Sequence, residues 1–202
     1  MPNHIEGDRY AAAWHLALSG LRRGEIAALR WSDIDLNSGT IAVTRNRLRF
    51  GDKVVEGRVK SKASDRKLPL PDNLAATLKA AKSLQAADKL SLGAAYQSSG
   101  YVVVDEPGRP LSPHALTSRW ARMLVAVGLP PVRLHDARHA CGTLMHLEGV
   151  PIAVIAAWLG HASWAFTMAT YVHSQEPALA DAAQVGPCRH QFVAAERPPI
   201  VS

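Results

Sequence analysis

Cysteine is scarce in this chain: Cys141 and Cys188 are the two present among 202 residues, and they form no CxxC pair. That excludes a disulfide-built secreted scaffold and a cysteine-rich zinc module, and it reads as a pair of reduced thiols in a cytoplasmic protein. Long apolar runs are missing as well. No stretch approaches the ~20 residues of a membrane span, and the opening MPNHIEGDRY carries no charged-then-apolar signal pattern. Secretion and a membrane partner are therefore not expected. The sequence also lacks a phosphate-cradling GxxxxGK(S/T) loop, an acidic cluster at metal-ligand spacing, internal repeats and low-complexity blocks. No metal and no other cofactor is expected.

What is present is an apolar content of 48%, enough for one good core, and an excess of base: 23 Lys and Arg against 17 Asp and Glu, a net charge of +6. Such a balance points to a polyanionic partner without, by itself, separating nucleic acid from a membrane surface. The excess is concentrated. Between Thr44 and Lys67 stand Arg45, Arg47, Arg49, Lys53, Arg58, Lys60, Lys62, Arg66 and Lys67 against Asp52, Glu56 and Asp65, so this one region matches the net charge of the whole chain. On a ribbon, Arg45, Arg47 and Arg49 point to one face and would present a basic ridge to a phosphate backbone. A solvated, edge-protecting hairpin is the plainer reading.

The local patterns give a mainly helical α+β chain with one small antiparallel sheet of three strands. Tyr10–Ser19 is a helix stopped by Gly20, and Glu25–Leu29 is a second short one. From Thr40 the period becomes two, and TIAVT, VVEGRVK and RKLPL are the three expected strands, with Gly51-Asp52 turning between the first two. Asp72 caps a helix running to about Ala87, Ser112-Pro113 opens another, and YVVV at 101–104 is a short strand between them. One helix starts near Asp136, another ends at Leu159-Gly160, and a further short one begins around Ser163. In the proline-bearing tail, Ala178–Gln184 is the stretch able to dock as a helix.

Taken singly, the polar constellations are ambiguous. His135 and Arg138, three apart near a helix start, share a face and would grip an oxyanion, yet a capping His beside a surface Arg has the same spacing. His135 and His139 have the spacing of a helical zinc pair, but Asp136 stands where a general-base Glu belongs and the Arg138 guanidinium would repel a dication. Arg22 lies in the glycine-flanked turn GLRRGE, which could equally be a surface turn with an Arg–Glu pair. His161 follows a helix-ending glycine, and Tyr171 comes ten residues later, where a tyrosine is more usually a core residue.

The set of motifs resembles the catalytic domain of the tyrosine recombinases, the phage-integrase family. The segments that carry the resemblance are SGLRRGEIAALRWSDID (19–35), KSKASDRKLPLP (60–71), LHDARHACGTLM (134–145) and WLGHASWAFTMATYVH (158–173), in the family's order and spanning nearly the whole chain. The resemblance implies that Arg22 and Arg138 hold a scissile DNA phosphate, His135 and His161 assist, Lys60 acts from the hairpin, with Lys62 two residues on, and Tyr171 is the nucleophile. Arg45, Arg47, Arg49, Lys62 and Arg66 are then expected on the DNA backbone.

By the same resemblance the chain divides into a catalytic domain, 1–176, and a tail, 177–202, whose segment Pro177–Gln184 docks onto a neighbouring protomer or packs in cis. Double-stranded DNA is the expected partner, with a homo-oligomer, a tetramer, on DNA and a monomer in isolation. The expected activity is site-specific strand transfer through a 3′-phosphotyrosyl link. Family members carry a DNA-clamping domain before this one, so the chain is expected to be a catalytic fragment or a minimal form. The alternatives are a DNA-binding remnant without complete recombination, and strand relaxation of the type IB topoisomerase kind.

Overall fold

A computed structural model describes residues 7–59 and 62–161, and for Lys62 its backbone alone. Among the described residues there are six helices and a small sheet: α1 (Ala11–Leu18), α2 (Arg23–Ala28), α3 (Asp72–Leu92), α4 (Pro113–Ala126), α5 (Leu134–Leu147) and α6 (Ile152–Leu159). The Ala- and Leu-rich α1 is apolar on nearly every side, as a central helix must be, and it packs against both α3 and α5. Trp14 and Leu16 in α1 are fully buried, and Trp14 meets Trp120 of α4 edge-on, ring centroids 5.5 Å apart. Gly20 ends α1 with φ +92°, which lets Leu21 and Arg22 turn back toward the core. The Ser112 hydroxyl accepts from the Ala115 N–H and Pro113 opens α4, as the Ser-Pro pair predicts. Among the described residues no helix is long and apolar enough to cross a membrane.

The β structure departs from the expected single sheet in a way that matters for the site. The three-stranded antiparallel sheet is β1 (Ile34–Asp35), β2 (Thr40–Val43) and β5 (Arg66–Pro69), in that order, while β3 (Arg45–Phe50) and β4 (Lys53–Arg58) form a separate two-stranded ribbon. TIAVT and RKLPL therefore pair with each other, Ile41 opposite Leu68 and Val43 opposite Arg66, and VVEGRVK pairs with the RNRLRF stretch across the Gly51-Asp52 turn. Period-two alternation then fixes the faces: Ile41, Val43, Arg66 and Leu68 point inward, while Lys67 and Pro69 point out.

Two other expectations change. YVVV makes single bridges, Tyr101 to Arg30 and Val104 to Pro110, instead of a strand. Its three valines are all buried, so the run fills the core as it crosses and has no solvated face to alternate with. Asp72 is the first residue of α3 after the Pro71 cap, and the helix continues past Ala87 to Leu92, where Gly93, φ +52°, ends it.

Candidate active site

Three successive carbonyls at the end of α6 each receive a different arginine. The Arg66 Nε donates to Trp158 O at 2.7 Å, an Arg138 Nη donates to Leu159 O, and an Arg22 Nη donates to Gly160 O at 2.8 Å. The last carbonyls of a helix have no partner within it and carry the negative end of its dipole, so cations are their natural caps. The consequence is convergence: the turn before α2, the start of β5 and the middle of α5 are drawn to one point, next to His161.

Arg22 and Arg66 share a carboxylate. Glu25 lies three residues after Arg22 on α2, is 2% exposed, and accepts from Arg22 Nη1 at 2.8 Å and from the Arg22 backbone N–H at 2.8 Å. Arg66 closes the other side bidentately, at 3.1 and 3.0 Å. Burial pushes the Glu25 carboxyl up, but the Arg66 hydrogen bonds and charge, with those of Arg22, bring it below its ordinary value and keep it ionised. Arg138, 3% exposed, also donates to Gly20 O, pinning α5 to the end of α1.

His135 sits near the start of α5 with its ring edge-on to His139, centroids 4.7 Å apart. Its pKa is lowered by burial, then by the neighbouring His139 and Arg138. His161 is lowered further, to about 4, by burial and by the charges of Arg138 and Arg22. Both imidazoles are thus neutral at pH 7, able to donate from one nitrogen and accept at the other. Cys141, one turn after Arg138, is held as a thiol by burial. Among the described residues no three of His, Cys, Asp and Glu group to hold a metal ion.

From Arg22 and His135 a groove of about 680 Å³ runs between the ribbon, the start of α4 and the start of α5. Its charged lining is of one sign: Arg22, Arg23, Arg47, Arg49 and Arg133. Arg23 donates to the Thr117 hydroxyl of α4 at 2.9 Å, and Arg133 is largely exposed. His114, Thr117 and Arg133 stand in no short pattern, and Arg23 stands in the GLRRGE turn only as the neighbour of Arg22. They become one surface only when α2, α4 and α5 meet.

The structure thus brings together Arg22, His135, Arg138 and His161, while Lys60 and Tyr171 lie outside the described residues. The basic residues expected on a phosphate backbone divide. Arg49 is exposed near the ribbon tip, bonded to Gly51 O and Asp52. Arg45 instead pairs with Asp33 at 2.6 Å, and Arg47 donates to Ala27 O and Leu111 O, at 3.1 Å each, with its guanidinium over the Tyr101 ring. These two are pegs that fasten the ribbon to the body as well as members of a basic face. Arg66 is inside, on the core face of β5, rather than on the ribbon's outer surface. Lys62 opens the short turn Lys62–Ser64.

Gly24 shows how closely the ribbon is seated. A Cβ there would lie 1.8 Å from Asn46 Oδ1 and 2.6 Å from Arg47 O, so β3 rests on bare backbone one residue from Arg23.

Comparison with known proteins gives the family and the fold. The family model described as "Phage integrase family" matches residues 5–177. The chain belongs to that family. Relatives of this integrase-family chain include a tyrosine recombinase XerC-like protein of Caldanaerobacter subterraneus subsp. tengcongensis, 31% identical over 84% of this chain. Another is the integrase of Mycobacterium phage L5, 30% identical over 85% of it. The chain spans less than half the length of these relatives, 46% of each. Among solved structures, the Tn1549 transposon integrase in complex with transposon right end DNA superposes with a TM-score of 0.71 at 19% identity, over 91% of this chain and 62% of that one. XerA recombinase superposes at 0.66 and 26%, over 89% and 59%. The integrase-family fold, a mainly helical domain with a small antiparallel sheet, is thereby shared.

Proposed function

We propose that this chain carries the strand-cleaving and rejoining step of a site-specific DNA recombinase. The observation that carries the reading is the convergence of Arg22 and Arg138 on the end of α6 beside His161, Arg22 from 138 positions away, with His135 close enough to feel the charge of both arginines. Structural neighbours in complex with DNA, the Tn1549 integrase among them, support DNA as the partner.

In this reading Arg22 and Arg138 bind the non-bridging oxygens of one phosphodiester. Attack by the Tyr171 phenol oxygen forms an O–P bond through a five-coordinate phosphorus whose equatorial oxygens gain negative charge, and two guanidiniums stabilise that charge more than the ground state's. A phenol with an ordinary pKa near ~10 needs a base, and neutral His135 accepts its proton. The P–O5′ bond breaks, Lys60 supplies the proton to the leaving 5′ oxygen, and neutral His161 donates a hydrogen bond to a non-bridging oxygen. The 3′-phosphotyrosyl link conserves the phosphodiester, so a second 5′ hydroxyl can reverse the steps and complete an exchange. The one-signed groove gives the flanking backbone its place, with affinity falling steeply as salt rises. A homo-oligomer on DNA would hold a second duplex, whose 5′ hydroxyl completes the exchange, within reach.

The test is covalent capture. Incubated with a pool of nicked suicide duplexes of randomised sequence in EDTA, the chain is expected to give an SDS-resistant DNA adduct, and Tyr171→Phe none. An adduct that persists in the Phe variant moves the nucleophile elsewhere, and no adduct with the unaltered chain removes the strand-transfer reading.

A further inference from the structure

We propose that Arg66 is a positioning residue of this site, setting the Arg22 guanidinium through Glu25 and the α6 terminus through Trp158 O, and that it does not itself meet DNA phosphate. The proposal rests on the strand-transfer reading for its catalytic consequence and on geometry alone for the rest.

The hydrogen-bond inventory is nearly complete on both partners. A carboxylate offers four lone-pair positions. On Glu25, Oε1 takes Arg22 Nη1 and Arg66 Nη1, and Oε2 takes the Arg22 backbone N–H and Arg66 Nη2, which fills all four. Arg66 has five N–H groups, and among the described residues four are engaged: Nε on Trp158 O, Nη1 on Glu25 Oε1 and Ser64 O, Nη2 on Glu25 Oε2. Arg22 spends two side-chain donors on described residues, Nη1 on Glu25 and Nη2 on Gly160 O, and its side chain is 34% exposed against 6% for Arg66. One guanidinium is therefore built to receive a ligand and the other to hold the receiver.

Stability by itself is not a sufficient reason for this pair. A buried ion pair is commonly no better than apolar residues of the same shape, and position 66 faces the core beside Leu68, where an apolar residue would fit the strand pattern. What an apolar residue cannot do is tie three elements at once, β5, α2 and the end of α6, with a planar fork. Gly160 confirms the tightness from the other side: a Cβ there would lie 2.8 Å from Arg66 Nη1 and 3.1 Å from Ala63 O. Nothing bulkier than hydrogen fits between the guanidinium and the residue that precedes His161.

Arg66→Lys keeps the charge and loses the fork, and three measurements on the full chain decide. First, in the neutral double variant Glu25→Gln with Arg66→Gln, which removes the cation, the slope of log affinity against log salt for a 30-base-pair duplex is expected to stay as in the unaltered protein, whereas a fall of about 0.9 would mean that Arg66 contacts a phosphate and would overturn the proposal. Second, the rate of adduct formation at saturating DNA is expected to fall on the order of 100-fold with the dissociation constant unchanged, the signature of a displaced rather than a missing contact. Third, the His161 titration, followed by NMR without DNA, is expected to move up from about 4, because the charge at 66 is retained and a shift reports movement of the α6 end. An unaltered rate with an unaltered titration also overturns the proposal. If the unaltered chain forms no adduct, the strand-transfer reading fails by itself, and the salt slope and the titration still judge Arg66. Should Arg66→Lys fail to fold, the rate of adduct formation is measured on the same neutral double variant, and an unaltered rate there overturns the proposal.

Discussion

Arg22 and Gly160 are 138 positions apart and are joined by a 2.8 Å hydrogen bond from guanidinium to carbonyl. Because Gly160 ends α6 in the left-handed region, φ +66°, its carbonyl is turned out of the helix and toward Arg22. The residue placed next, His161, is thus located by the same group proposed to hold the phosphate. The position of the Arg22 guanidinium and the position of His161 are thereby coupled through one helix end.

That coupling gives a stability prediction for Arg138. Its two Nη groups serve Gly20 O and Leu159 O in the interior, and truncation leaves both carbonyls buried without a donor. Hydrogen bonds to charged groups contribute about 1.5–3 kcal/mol, and an orphaned buried carbonyl costs a comparable amount. Arg138→Ala is expected to lower unfolding stability by about 3 kcal/mol in urea, with the m-value unchanged. A loss below about 0.5 kcal/mol, the range of an ordinary surface substitution, would show that these bonds do not hold α5 to α1 and α6.

Gly24 supports a second, sharper prediction. In Gly24→Ala the new methyl meets Asn46 Oδ1 and the backbone oxygen of Arg47. Asn46 can swing aside, but the backbone oxygen moves only if β3 lifts from α2. Overpacking of this kind costs about 1–3 kcal/mol. The double variant Gly24→Ala with Asn46→Ala is therefore expected to stay destabilised, and full recovery of the melting temperature in the double variant would place the conflict on the side chain alone.

Much of this was legible in the sequence, and the misses have physical causes. Helix stops at Gly20 and Gly160 and the Ser112-Pro113 start follow from local backbone preferences that the fold does not override. Arg22, His135, Arg138 and His161 are singled out by the family resemblance of their motifs and not by any one spacing, and the structure brings the four together. Arg66 was misplaced on the outer ribbon because its neighbours are basic. The alternation in Arg66-Lys67-Leu68 would have put it on the face of Leu68, inside. Glu25 looked like half of a surface pair because its second partner, Arg66, is 41 residues away. The ribbon could not be separated from the sheet by pattern, since β2, β4 and β5 are equally β-prone. What separates them is the tertiary docking of Arg45 on Asp33 and Arg47 on Ala27 and Leu111.

The depressed histidines predict a pH dependence with a definite sign. An unfolded histidine titrates near 6.5, and His161 in the folded chain near about 4. Between these values the unfolded state binds more protons, so folding stability rises with pH across that window and is lost as pH falls through it, His135 acting in the same direction. Urea midpoints are expected to fall steadily from pH 7 to pH 4.5, and less steeply in His161→Asn. A bound phosphate favours the imidazolium, so DNA should raise the His161 pKa and, reciprocally, DNA should bind more tightly at lower pH within the folded range. NMR titration of His161 near 6.5 in the free chain would remove both expectations.

The arginines themselves can be sorted by experiment, because the structure gives them different work. Arg23 and Arg133 line the groove from α2 and from the start of α5, with a hydroxyl partner and an exposed ion pair respectively. Neither is needed to fill a buried acceptor. Arg23→Gln and Arg133→Gln are therefore expected to leave stability within about 0.5 kcal/mol and to lower the salt slope of DNA binding by up to about 0.9 each. Arg47 is the contrast: its guanidinium satisfies Ala27 O and Leu111 O and covers Tyr101, so Arg47→Gln is expected to cost about 1–3 kcal/mol of stability, as orphaned buried acceptors do. Arg45→Gln, which leaves Asp33 without its cation at 2.6 Å, is expected to fall on the same side. The opposite ranking, with slope carried by Arg45 and Arg47 and stability by Arg23 and Arg133, would mean that DNA lies over the outer ribbon and not along the groove that leads to Arg22.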